Sequence, residues 1–516
     1  MNERKVSREA ASDRKRIERL RGMHDLLPDE YLRQRVVIER MAAFLARAGY
    51  TPVDAPILEQ SDLFHNSFGQ ELWQNLYAFR LHHRDLCLRP EYTASICRLY
   101  LDHYQQQALP LRFQYTGPIF RYEAPGRNRY RQHTQVGIEL FGGQSAAADA
   151  EILQLACDTL NMLRIPRYRI EVGHIGIASG FIQRLHLDDH AARLLLSLME
   201  QISRSEQGEQ AAQARLESLY PLDPLGEDEV GGANGLSSEG RTEAEARLIT
   251  SLMSSIHIPF DDSSRQEIID RYLWKMGRST QGRQILYALE FLRALHATSG
   301  RPPAVFDHLR DVLQRYSLDP AALDGLRQLV STLEQCGVPA EQIVVNLSLG
   351  RGVNYYTGLV FEIHTQDEEG YDTQLCGGGR YDRLVRAVGG ARDVNACGFA
   401  FGVDRLLSLL PGEDLPVVEA TQVLVIPVAE DNIAYALRIA RTLREGGALV
   451  ELDVSGHGVG PGLKLAGRKH IRLALIVGED EQRAGNVTLR DLETREEHTM
   501  SIEQARERVR GKEQFV

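Results

Sequence analysis

No stretch of the 516-residue chain approaches the ~18 uninterrupted apolar residues of a membrane-spanning helix, so a spanning role is not expected. The opening MNERKVSREAASDRKRIERLRG is charged throughout and has no apolar centre, and it is read as something other than a secretory signal. The six cysteines (Cys87, Cys97, Cys157, Cys336, Cys376 and Cys397) form no Cys-x-x-Cys pair and have no histidine at zinc spacing. They are expected to be reduced thiols, mostly core-filling, in a cytoplasmic protein with no metal held by a protein motif. His82 and His83 have no ligand-spaced partner and are expected at the surface. GHGVGPG at 456–462 is glycine-rich yet fits neither a phosphate-binding loop nor a dinucleotide fingerprint. A formal net charge of −11 argues against a general nucleic-acid coat, while leaving room for a local basic patch. There is no internal repeat.

With 43% apolar and 25% charged residues, and a length beyond one ordinary core, the chain reads as a multidomain globular protein. YLRQRVVIERMAAFLARAGY carries Val36, Val37, Met41, Phe44 and Leu45 at helical spacing, closed by Gly49. TPVDAPILEQ predicts a strand broken at Pro56, and residues 86–101 a helix after Pro90. LRFQYTGPIF alternates Leu111, Phe113 and Tyr115 with Arg112, Gln114 and Thr116, the period of a strand with one exposed face. HTQVGIELFGG is its expected antiparallel partner, with a hairpin loop between them. A helix follows from Asp149 to about Leu163. Residues 171–342 read as a mostly helical insertion with a mobile acidic loop near 221–247. Sheet signals resume in QIVVNLSLGRGVNYYTGLVFEIHTQ, TQLCGGGRYDRL and NACGFAFGVDRLLSLL. Beyond the linker PGEDLPVVEA, QVLVIPV, ALVELDV and IRLALIVGED alternate with helices near 430–446 and 461–469, a βαβαβ unit.

The hairpin loop is the densest chemical signal. Arg121, Arg127, Arg129 and Arg131 crowd it, with the carboxylates Glu123 and Glu139 in the same stretch. Arginine stays charged, and its planar fork makes paired hydrogen bonds to phosphate oxygens, so a sheet-mounted arginine loop suits a polyphosphate. FGVDRLL offers a second clamp, Arg405, at the head of a helix after a strand. Taken alone, the loop reads more readily as a solvated turn whose arginines pair with the two glutamates. Tyr355 and Tyr356, if neighbours on a strand, face opposite ways, so sheet packing on a given face can bury at most one of them.

Three ordered segments decide for more than a solvated turn. The helix and strand ending at Pro56, FRYE with GIELFG, and GFAFGVDRL resemble motifs 1, 2 and 3 of the class II aminoacyl-tRNA synthetases. RGMHDLLPDE, LRPEYTA, RYRQHTQVGIELFG, GRGVNYYTGLVFE and GGGRYD are similar to signatures of the histidyl-tRNA synthetase family. Departures from its pattern fall at Tyr92, Ala124 and Asn354.

The resemblance implies an α+β fold: a six- or seven-stranded antiparallel sheet with flanking helices, a helical insertion and a C-terminal α/β anticodon-binding domain. It assigns a charged extension to 1–20, a catalytic core to 21–170 and 343–411, the insertion to 171–342 and the terminal domain to 421–516. It implies histidine activation by ATP with Mg²⁺ and transfer to tRNA(His) by a homodimer, with no other cofactor.

Carried over by position, Arg121 would hold the α-phosphate, Arg351 would assist there and Arg405 the γ-phosphate. Glu123 would orient the adenine end, and Arg129 would help bind the triphosphate. Glu91, Thr93, Gln135 and Glu139 would receive the amino end of histidine, with Arg351 nearby, and Tyr355 and Tyr356 its imidazole. Arg127, Lys464, Arg468 and Lys469 are candidate tRNA contacts. YRIEVGHIGIASGFIQRLHL is also similar to the family's paralogue, the histidine-sensing regulatory subunit of ATP phosphoribosyltransferase. That subunit charges no tRNA and would partner the catalytic phosphoribosyltransferase.

Overall fold

The computed structural model describes residues 17–65, 75–124, 126, 129–143, 145–165, 167–188, 191–192, 194–196, 199, 210, 214, 282–349, 355–366, 370–410, 422–456 and 458–510. The acidic loop near 221–247 and residues 1–16 of the charged extension lie outside them. The chain divides into two compact units, Met1–Leu415 and Pro416–Val516.

The strands of the first unit are β1 Thr51–Pro52, β2 Leu58–Gln60, β3 Ala78–Leu81, β4 Arg84–Leu88, β5 Leu111–Phe120, β6 Gln132–Phe141, β7 Arg169–His174, β8 Ile343–Val345, β9 Leu359–Gln366, β10 Asp372–Arg380 and β11 Ala396–Gly402. Eight of them form one sheet in the order β1-β5-β6-β11-β10-β9-β7-β8, and β2-β4-β3 form a small second sheet. The six inner strands are antiparallel neighbours, as expected for this architecture. The two additional strands are short edge pieces that run parallel to β5 and β7.

Period-two alternation explains how the central strand serves two masters. On β6, Val136, Ile138 and Leu140 are buried in the main core with Val37, Met41 and Leu45 of the helix Pro28–Arg47. Burying each contributes roughly 1.5–3 kcal/mol against exposure. The intervening Gln135, Gly137 and Glu139 belong to the opposite face. The helix Pro28–Arg47 starts with proline in its first turn, where no amide partner is lost, and Glu30 accepts the Leu27 amide at 3.2 Å. It is followed by Gly49 at φ 87°, a left-handed closure that glycine adopts without strain.

Several local expectations need correction. TPVDAPILEQ is divided between two sheets, β1 in the large one and β2 in the small one, because Ala55 and Pro56 separate the pieces. Residues 86–88 are strand, and the helix begins only at Thr93, beyond Pro90. The segment 171–342 is not wholly helical. Residues through His174 complete β7 of the large sheet, and the described helices Ile175–Arg184, 282–297, Ala304–Arg315 and Asp324–Gln335 bury their apolar faces in the same core.

The second unit is a five-stranded sheet ordered β13-β12-β14-β15-β16, from β12 Val423–Pro427, β13 Val450–Leu452, β14 Leu473–Val477, β15 Asn486–Asp491 and β16 Glu497–Ser501. The first three are parallel and the last two antiparallel, so the βαβαβ unit read from sequence is extended by a hairpin and the helix Ile502–Arg510. Val423 and Val425 pack under the helix Ile433–Glu445, whereas Leu424 and Ile426 pack with Ala466 of the helix Val459–Arg468. Both faces of β12 are covered, which is why it reads as an unbroken apolar run. Among the described residues no helix is long and apolar enough to cross a membrane, and no cluster could hold a metal ion.

Candidate active site

The face of β6 that carries Gln135 and Glu139, with β5 and β11, borders a cleft. Glu91, Thr93, Tyr115, Arg121, Gln135, Tyr355, Tyr356, Gly377, Tyr381, Gly398, Phe399 and Ala400 line it. Six of the residues singled out from sequence therefore meet in one place, from segments some 260 positions apart.

Glu91 follows Pro90 and braces the start of the helix Thr93–His103, its two oxygens accepting the amides of Thr93 at 2.6 Å and Ala94 at 2.9 Å. These are among the amides that a helix leaves without an internal partner. Burial raises its pKa, and the two amides with nearby Arg121 pull the other way. Glu139 lies just beneath the floor, 1% exposed. Tyr115 donates to one of its oxygens at 3.3 Å and Tyr381 donates to the other. Burial and the charge of Glu91 lift it to about 8 despite the hydroxyls of Tyr381, Thr93 and Tyr115. Gln135 lines the cleft, and its Oε1 is buried with no hydrogen-bond partner, an acceptor left unsatisfied.

Gly398 makes the floor possible. It pairs with Glu139 across β6 and β11, and a Cβ there would lie 2.0 Å from Glu139 Oε2 and 2.2 Å from the Ile138 carbonyl oxygen. Because one clash is with backbone, rotamer changes cannot relieve it. Gly398→Ala is expected to lower stability by about 1–3 kcal/mol and to weaken ligand binding at the cleft, read by thermal melting and by calorimetry. A fully stable variant with unchanged binding would contradict this packing.

Tyr92, at a position where the resembling family carries a small residue, does not enter the cleft. It stacks on Tyr115 with centroids 4.3 Å apart, lies under the Arg89 guanidinium at 3.8 Å, and is admitted by Gly117. Arg89 itself is 1% exposed and donates to the carbonyls of Pro118 and Ala55, tying the helix start to β5.

At the other end the cleft turns cationic. Arg121 Nε donates to the Pro90 carbonyl at 2.9 Å, which fixes the guanidinium beside Glu91, and its Nη1 is 3.9 Å from Glu123. The hairpin closes through Arg121 N to Arg131 O at 2.8 Å. Arg405 Nη1 donates to the Gln374 carbonyl at 2.8 Å. Its short helix is locked to β6 by the Thr134 amide, which donates to Asp404 at 2.9 Å. Burial, and then repulsion from Arg129 and Arg121, pull Arg405 down to about 10, with Glu123 and Glu362 opposing. Arg405 thus stands in the repulsive field of both Arg129 and Arg121, an arrangement that an anion with several charges would relieve. The loop keeps part of the solvated-turn reading, since Arg121 lies 3.9 Å from Glu123, but its Arg121 and Arg129 also lie within the field of Arg405.

Tyr355 and Tyr356 lie in a turn before β9, outside any strand, so alternation does not apply; both line the cleft, their rings 4.9 Å apart. Arg127, Arg351 and Asn354 lie outside the described residues. Lys464 and Arg468 are exposed one helical turn apart in the second unit, while Lys469 pairs with Glu451. Sequence reasoning missed Tyr115 and Tyr381, although GGGRYD contains the latter. It also missed His133, which continues the odd-numbered series of Gln135 and Glu139. Burial, with Arg121 and Arg405, presses His133 down to about 3 and keeps it neutral.

A family model described as histidyl-tRNA synthetase matches residues 22–228 and 277–406, and one described as an anticodon binding domain matches 422–512. The chain is 28% identical over 487 residues to the histidine–tRNA ligase of Methanocaldococcus jannaschii, covering 94% of this chain and 97% of that one. Among solved structures it resembles apo histidyl-tRNA synthetase of S. aureus, with TM-score 0.59, 21% identity, and coverage of 96% and 100%. It also resembles a Bacillus halodurans protein described as an ATP phosphoribosyltransferase regulatory subunit/histidyl-tRNA synthetase, with TM-score 0.56, 21% identity, and coverage of 90% and 98%. At such identities the two structures speak for the fold alone.

Proposed function

The chain belongs to the histidyl-tRNA synthetase family, and on that premise we propose that it activates histidine with ATP and transfers it to tRNA(His) as a cytoplasmic homodimer. One observation carries the reading: the buried carboxylates Glu91 and Glu139 and the unpartnered Gln135 acceptor lie at a cleft lined by Arg121, whose charge, with that of Arg129, repels Arg405. The first group suits an ammonium, the second a polyphosphate.

The proposed chemistry follows from charge. The histidine ammonium sits over Glu91, Thr93, Gln135 and Glu139, with its imidazole against Tyr355 and Tyr356. This leaves its carboxylate directed towards the arginines. ATP, carrying Mg²⁺ as part of the substrate, lies with its adenine end near Glu123, its α-phosphate on Arg121 and its γ-phosphate on Arg405, with Arg129 alongside. A carboxylate oxygen attacks the α-phosphorus, the bond to the bridging oxygen breaks, and pyrophosphate leaves with the electron pair. Two anions must meet, so Arg121, with Arg351 as the second donor, neutralises charge that grows on the α-phosphoryl oxygens. Fixing both reactants in register can supply about 7–11 kcal/mol of the barrier reduction. The terminal ribose hydroxyl of tRNA then attacks the adenylate carbonyl and releases AMP, with no covalent enzyme intermediate.

The second unit would read the anticodon loop, whose splayed single-stranded bases offer sequence information, with Lys464, Arg468 and Lys469 contacting phosphates and Arg127 serving the acceptor end. Truncation after about Glu419, a position outside the described residues, is expected to spare histidine-dependent ATP–pyrophosphate exchange. Charging of tRNA at low concentration should fall by about 10²-fold or more, as when one of two linked binding modules is lost. Exchange and charging assays on the full and shortened chains test both points. A full chain that binds histidine, charges no tRNA and activates an ATP phosphoribosyltransferase would instead be the regulatory subunit.

A further inference from the structure

A row of charged and amide side chains crosses β7, β9 and β10 next to the arginine cluster. Register places Arg169, His364 and Gln374 opposite one another on the three strands, with Glu171 opposite Glu362 in the adjacent row. His364 is held from both ring nitrogens, Nε2 at 2.9 Å from Glu362 and Nδ1 at 2.7 Å from Asp372. Asp372 also meets Arg169 at 3.4 Å, and Arg169 pairs with Glu171 at 2.8 Å. The other oxygen of Glu362 accepts Gln374 Nε2 at 2.8 Å. The carbonyl of that same Gln374 accepts Arg405 Nη1 at 2.8 Å, and the ladder between β9 and β10 is irregular at this point, between Gln374 and Cys376. Bulges of this kind re-aim groups beside functional sites.

Glu362 is therefore a half-buried carboxylate within the field of Arg405, whose charge it favours. Unneutralised, it would compete with any incoming anion for that guanidinium. His364 removes the competitor by pairing with it. Burial works against a charged imidazole here, but the hydrogen bonds it donates to Asp372 and Glu362 outweigh it and push the group up to about 9, so it is cationic at neutral pH. Exposed ion pairs are worth little, but this imidazole is only 13% exposed and its bonds are charge-assisted on both sides.

We propose that His364 is a positioning residue for polyphosphate binding: it occupies Glu362 and, with it, steadies the Gln374 side chain above the irregularity, so that Arg405 remains aimed at the terminal phosphate. The proposal rests on the reading of Arg405 as the γ-phosphate ligand. It concerns His364, Glu362 and Gln374, outside the cleft lining, of which only Glu362, the last residue of GRGVNYYTGLVFE, belongs to a family signature.

Calorimetry with ATP and with AMP on the full chain tests it. The unmutated chain should bind ATP much more tightly than AMP; if it does not, the Arg405 reading itself fails, and the proposal with it. His364→Leu is expected to weaken ATP about tenfold while AMP and histidine stay within about twofold, the size typical of a residue acting through a network. Adding Glu362→Gln to His364→Leu should recover most of the loss, because the competing charge is then gone. A merely structural role would depress all three ligands together and would not be rescued by a second substitution. Unchanged ATP binding in His364→Leu, equal losses for ATP and AMP, or no recovery in the double variant would each overturn the proposal. His364→Gln, which keeps hydrogen bonding without the charge, gives the same comparison should the leucine variant fold poorly, and is expected to show the same selective loss.

Discussion

Arg121→Ala is expected to slow histidine-dependent ATP–pyrophosphate exchange by about 10²–10³-fold, with the loss in kcat and a much smaller change in KM for ATP. Arg121 lines the cleft, its guanidinium tethered through Nε to the Pro90 carbonyl, its charge felt by Glu91 and its Nη1 3.9 Å from Glu123. Its position is thus fixed before the substrate arrives, and the benefit falls on charge that appears only as the α-phosphoryl group reacts. Arg405 and Arg129 remain to hold ATP in the ground state, so affinity should survive. Arg121→Lys keeps the charge but loses the fork and the tether, and should recover only a small part of the rate. Steady-state exchange kinetics on the three proteins separate the outcomes. A variant whose kcat is intact and whose KM rises would make Arg121 a simple binding residue.

Glu139→Gln should weaken histidine by about 10²–10³-fold, the 3–5 kcal/mol typical when one member of a buried charge pair is removed, and leave ATP affinity within about threefold. The empty-site pKa of about 8 adds a signature that a neutral amide cannot give. At pH 7 the carboxyl holds a proton that an arriving ammonium must displace. Histidine binding to the unmutated chain should then release close to one proton, and apparent affinity should climb up to tenfold per pH unit until about pH 8. Calorimetry in buffers of different ionisation enthalpy reads that proton directly, and it should vanish in the glutamine variant.

The same shift marks stability. The folded chain keeps this proton up to about 8, whereas the unfolded chain releases it near the ordinary glutamate value of about 4.3. The contribution is complete below the lower value and is lost as pH rises through the upper one. Equal affinity in both proteins, with no pH dependence, would remove Glu139 from the amino-acid site.

The legible parts of the fold were those whose information is local. Alternation along 111–120 and 132–141 marked the central hairpin, and the helical spacing of Val37, Met41 and Leu45 marked the helix behind it. The arginines were visible as a cluster, but their common field with Arg405 depends on β11 lying beside β6, a pairing across more than 250 positions. Tyr381 was quoted within a motif and still missed as a partner of Glu139, because only the sheet register brings the two together. Tyr355 and Tyr356 both line the cleft, but the alternation argument does not reach them because they precede β9, where the chain turns. His364 carries little signal in one dimension: Glu362 shares its face two positions earlier on β9, but Asp372 reaches it only when β9 and β10 pair.

The two units have hydrophobic cores with no residue in common: one gathers Val37, Ile138, Leu160 and Phe361, the other Val423, Ile439 and Leu475. Their melting need not be a single cooperative event, and one transition temperature would then describe neither. Each transition becomes a reporter. A ligand that binds only the folded form of one unit raises that unit's transition by mass action and leaves the other where it was. Scanning calorimetry with histidine, ATP and tRNA added in turn would therefore sort each ligand to its half of the chain without a single substitution.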